Sequence, residues 1–242
     1  MERKTDLDSV FHAQTVNTRE LEAAWRHVNR QINFLIIHKQ KKSVEVTTKV
    51  LALIYCALAE SVFSKLIHTP RCFAAEEIAQ IREETRSGGV KEGWLKCAQL
   101  AVRRIDGVKS NHSQNVVKKL TELIEKYVFD PSVIRNKLAH GQWSIALNRE
   151  NSAVNNDVTG EISRLDVVEL HRRKHALEKL AAIVEDIIES PNKAHRRDYW
   201  AHLTELEERQ KELALWTIGK KVNQLMEKKS RAPNLKPRAS VQ

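Results

Sequence analysis

The chain is 242 residues long and 41% hydrophobic, enough for one sizeable core, and its seven glycines and five prolines argue against a turn-rich β architecture. Forty-one Lys and Arg against 31 Asp and Glu leave a formal charge of +10, which favours polyanionic partners, nucleic acid above all. Cys56, Cys72 and Cys97 are odd in number and form no CxxC, which argues against a disulfide framework or a zinc knuckle and fits a reducing compartment.

Residues 1–17 are polar and expected to be loosely held, with Val10, Phe11 and Val16 as the side chains that could dock on a core. The polar stretch from Met1 to Asp8 does not read as a secretory leader. From Thr18 to about Lys39, Leu21, Trp25, Val28, Ile32, Leu35 and Ile36 recur at helical steps. Ser43 is placed to cap a second helix reaching about His68. Its apolar run, Val50 to Ala59, is too short to cross a bilayer and reads as a buried central segment. Glu60 sits among those apolar residues, and simple exposure is the expectation for it.

Helices are predicted over Ala74–Arg86, Lys91–Ile105 and Ser113–Phe129. Ser87-Gly88-Gly89 forms a turn that lacks the spacing of a phosphate loop. Lys109, Asn111 and His112 lie in a polar loop open to RNA. After Trp143 the pattern suggests a small hairpin, Trp143–Leu147 against Val158–Ile162. Ser163 then caps a long helix, about Arg164–Glu189. Ser190-Pro191-Asn192 breaks the chain, and one charged amphipathic helix runs from Lys193 to about Met226. Lys228 to Gln242 holds five basic and no acidic residues and reads as a disordered tail. The expected class is an all-α multi-helix bundle, with a main domain over 1–190, an amphipathic helix over 191–227 and the tail over 228–242.

The chemistry concentrates in Asp130-Pro131-Ser132-Val133-Ile134-Arg135-Asn136-Lys137-Leu138-Ala139-His140-Gly141. Asp130 suits an N-cap, Pro131 the first helical position, and Gly141 a left-handed stop. Val133, Ile134, Leu138 and Trp143 would face the core. Four arginines precede a histidine by four to six intervening residues: Arg135/His140, Arg164/His171, Arg196/His202 and Arg197/His202. Of these, Arg135 and Arg197 have Asn or Asp directly after them, Asn136 and Asp198, so His202 is the rival to His140. His171 and His175 share a helix face, but basic neighbours and the absence of HExxH argue against a metal there.

Arg-Asn-Lys-Leu-Ala-His-Gly at 135–141 resembles the signature of the HEPN superfamily, all-helical domains that often act as metal-independent RNases. The resemblance implies an endoribonuclease in which His140 is the acid/base, Arg135 clamps the phosphate and Asn136 orients it. Attack by the 2′-hydroxyl would leave a 2′,3′-cyclic phosphate and a 5′-hydroxyl. It also implies an HEPN-type bundle with no cofactor or metal, a homodimer, and a toxin or antiviral-defence role in the cytoplasm with an antitoxin or regulatory protein as partner. Lys137, Lys228, Lys229 and Arg231 are candidate RNA contacts, and no membrane is expected. The alternative is a non-catalytic helical module that binds RNA or protein.

Overall fold

The computed structural model describes residues 2–105 and 111–231, and these form an all-α bundle. The helices are α1 (Glu2–Ile37), α2 (Lys41–Ile67), α3 (Ala75–Gly88), α4 (Val90–Val102), α5 (His112–Ile124), α6 (Asp130–Ala139), α7 (Asn156–Arg164), α8 (Val167–Glu189), α9 (Ala194–Ala214) and α10 (Ile218–Arg231). A π-helical segment, Glu125–Phe129, joins α5 to α6.

Two apolar helices organise the core. Leu51, Tyr55, Ala59, Phe63 and Leu66 of α2 are buried, as are Leu170, Leu177, Leu180, Val184 and Ile187 of α8. α2 packs on α1, α4, α6 and α8, and α8 packs also on α9 and α5. Trp94 of α4 stacks on Phe63 with ring centroids 5.0 Å apart. α2 is long and apolar enough to cross a membrane by length and composition, beyond the ten-residue run read from sequence, yet 56% of its most apolar window is buried inside the bundle. Its apolarity on several faces is the character of a central helix. Cys56, Cys72 and Cys97 are buried free thiols.

Several expectations need correction. Helix α1 begins at Glu2 rather than Thr18, because Leu7, Phe11 and Thr18 continue the helical spacing. Leu7 packs on the core, and the Thr18 hydroxyl lies 2.8 Å from that of Ser61. Val16 is exposed. α2 starts two residues before Ser43, with Gln40 at its cap position. The hairpin is reduced to one antiparallel bridge, Leu147 to Val154. Val158 and Ile162 face inward from helix α7 instead, since Asn155 accepts a hydrogen bond from the Val158 N–H at 3.1 Å and starts that helix. Asp166, not Ser163, caps α8, accepting from the N–H groups of Val168 and Glu169 at 2.7 and 2.9 Å.

The single charged helix expected after Pro191 is two helices. Thr217 restarts the chain, its hydroxyl accepting from the Lys220 N–H at 3.2 Å. α9 packs along α8, and α10 packs on α1 and α8, so both belong to the bundle surface. Lys228, Lys229 and Arg231 form the last turn of α10 rather than a disordered tail. Lys109 and residues 232–242 lie outside the described residues.

Candidate functional site

Helix α6 carries the motif, and its placement depends on Pro131. Proline has no N–H to return to the carbonyl four residues back, that of Tyr127. The backbone widens to a π turn just before it, with the Asp130 N–H bonded to the Glu125 carbonyl. The Tyr55 hydroxyl of α2 donates to the Tyr127 carbonyl at 2.6 Å. α5, the π segment and α6 therefore run on without a break, and Asp130 lies inside this path as a helical residue rather than an N-cap.

Ile134 and Leu138 are buried against the core, while Val133 and Trp143 are partly buried. The helix ends as its glycine predicts. Gly141 has φ +79, its N–H bonds the Leu138 carbonyl at 3.1 Å, and the Gln142 N–H bonds the Lys137 carbonyl at 2.9 Å. This is the paired bonding of a Schellman stop. The Trp143 indole N–H adds a bond to the Leu138 carbonyl at 2.9 Å.

On this frame the Arg135 guanidinium reaches across to α2 and pairs with Glu60, while its Nη1 donates to Asn136 Oδ1 at 3.1 Å. Glu60 thus has a specific partner, and Glu125, ten residues before Arg135, pairs with Lys91 at 2.7 Å. Arg135 and Glu60 remain about one-third and one-half exposed, so a phosphate can still reach the guanidinium. Asn136 and His140 are exposed. His140 closes the helix with its N–H bonded to the Asn136 carbonyl at 3.1 Å, so it stays in helical register. Asn136 and His140 then share a face, whereas Arg135 lies about 140° around the axis from His140. One copy of α6 presents the three side chains at one surface end of the helix without bringing Arg135 to His140.

The remaining candidates are placed as follows. Lys137 Nζ donates to the Leu147 carbonyl at 2.6 Å and pins the segment after the motif. Lys228, Lys229 and Arg231 are exposed at the end of α10, with Arg231 3.7 Å from Glu227. His202 Nε2 lies 3.2 Å from Asp186, and Arg197 pairs with Asp198 at 2.7 Å, so each half of the rival motif has its own partner. His112, expected in an open loop, begins α5 and places Nε2 3.2 Å from that of His195. His171 Nε2 bonds with Asn29 Oδ1 at 2.9 Å. Among the described residues no group of three His, Cys, Asp or Glu is arranged to hold a metal ion. Burial pushes the Cys56 and Cys97 thiols up to about 12 and that of Cys72 to about 11, which keeps all three from acting as thiolates at neutral pH.

Comparison with family models, curated proteins and solved structures gives no match to this chain.

Proposed function

We propose that the protein is a metal-independent endoribonuclease of HEPN type acting through Arg135, Asn136 and His140. The observation that carries this reading is the surface presentation of all three at one end of a rigidly stopped helix, within a chain of charge +10. His140 serves as the proton donor and acceptor, since imidazole exchanges protons near neutrality. Arg135 neutralises the charge that builds on the phosphorane, and Asn136 orients the guanidinium it already touches.

The angular separation of Arg135 and His140 on one helix supports a homodimer in which two copies of α6 face one cleft. RNA is the substrate, the cytoplasm the compartment, and a toxin or defence role with an antitoxin-like regulator the setting. The test is RNA cleavage in excess EDTA. Cleavage should persist without divalent metal and fall by at least about a hundredfold in His140→Ala and Arg135→Ala. Unchanged turnover in both variants would reject the assignment.

A second reading is a non-catalytic RNA-binding module, favoured by the exposed basic turn of α10. It predicts binding without turnover, weakened by removal of residues 228–242 and by salt.

A further inference from the structure

A cavity of about 620 Å³ lies between α1, α8, α9 and α10, within the size range of small-ligand sites. Four cationic side chains, Arg26, Lys174, Arg209 and Lys221, line it against two carboxylates, Glu22 and Glu178. Arg26 lies 3.8 Å from Glu22, and Lys174 pairs with Glu178. Arg209 pairs at 2.8 Å with Glu212, which is not part of the wall.

Lys221 differs from the other three. It is partly buried, no carboxylate partners its ammonium among the described residues, and burial together with the nearby Lys228 makes it easier to deprotonate. A desolvated cation without a counter-ion is costly, and a bound anion would remove the cost. His175 is also in the wall, although its unpartnered Nδ1 is turned away from the accessible space. The rest of the lining is mixed: Trp25, Val168, Leu213 and Trp216 give it an apolar side, and Asn29, His171 and Gln224 are polar.

We propose that this cavity binds a small phosphorylated molecule, its phosphate held by Lys221 and Arg209 and its body lying against Trp25, Leu213 and Trp216. Lys221 and Arg209 are the two wall cations with no carboxylate partner in the wall, Glu212 holding Arg209 from outside it, and a guanidinium fork suits phosphate oxygens. The volume exceeds that of a bare phosphate, and the apolar wall has room for a ring. Because Lys221 belongs to α10, an occupant links that helix to α9 and stabilises the docked arrangement.

Calorimetric titration of the full chain at physiological ionic strength tests this, with phenyl phosphate and inorganic phosphate as probes. Phenyl phosphate should bind saturably at one site per chain, more tightly than inorganic phosphate. Affinity should fall about tenfold or more in Lys221→Met and in Arg209→Gln. Lys221→Met without ligand should melt no lower than the wild type, because it removes a desolvated charge, and His140→Ala should bind the probe as the wild type does. Absence of saturable binding by the wild type would overturn the proposal. So would wild-type affinity in either cavity variant, or inorganic phosphate binding as tightly as phenyl phosphate.

Discussion

Glu60 holds Arg135 from a neighbouring helix, and its role separates two properties that a simple truncation would mix. The pair is partly exposed, so Glu60→Gln should cost less than about 1 kcal/mol of stability. It should nevertheless slow RNA cleavage several-fold through kcat, because an unheld guanidinium must be ordered at the moment of reaction. Denaturant melts beside steady-state kinetics check both halves, and a stability loss without a kinetic one would remove Glu60 from the site. Two other residues set a pH limit. Burial lowers His171 and His195 to about 4, helped by Lys221 and Lys174 at the first and by His112 and Arg196 at the second. Unfolded histidines take up protons near pH 6.5, so between about 6.5 and 4 the unfolded chain binds more protons than the folded one. Stability is therefore full above that window and should fall by about 6 kcal/mol at most as the pH drops through it, about 3 kcal/mol for each histidine. A pH-independent melting curve between 6.5 and 4 would contradict this. The residue types of the motif were legible in sequence, since Arg135, Asn136, His140 and the Gly141 stop follow from local spacing. The partner of Arg135 was not, because Glu60 lies 75 positions away and only tertiary packing brings it near.

The helix that presents the motif depends on a bond no sequence pattern announces. Tyr55 supplies the Tyr127 carbonyl with the donor that Pro131 lacks. Tyr55→Phe should cost about 1–2 kcal/mol by leaving that buried carbonyl without its hydroxyl donor. The loss should appear as a lower denaturation midpoint with an unchanged slope; a wild-type midpoint would show the π turn to be self-sufficient. Asp166→Ala should cost about 1 kcal/mol through the cap of α8, checked in the same melts. Elements with a clear apolar period and a clear breaker, such as α3, α4 and the stop at Pro191, were readable from sequence. Misreadings arose where two periods fit the same residues. Val158 and Ile162 satisfy both an alternating strand and a helical i, i+4 step, and the cap at Asn155 decides for the helix. The α9–α10 joint has neither Gly nor Pro, so its only sequence signal was the capping potential of Thr217.

For the molecule as a whole, the proposed site needs two copies, so the 27.8 kDa chain should scatter light as a dimer at concentrations where cleavage is seen. A strictly monomeric active species would refute that geometry. On the proposed reading, RNA affinity should fall steeply with salt for a chain of this basic charge, while the chemical step should be salt-insensitive once RNA is saturating. The central claim is that Arg135 and His140 cleave RNA by using its own 2′-hydroxyl. End-group analysis of the products made in excess EDTA, wild type beside His140→Ala, tests it most directly. The account predicts 2′,3′-cyclic phosphate and 5′-hydroxyl ends from the wild type and none from the variant. Products bearing 3′-hydroxyl and 5′-phosphate ends, or equal cleavage by the variant, would contradict it.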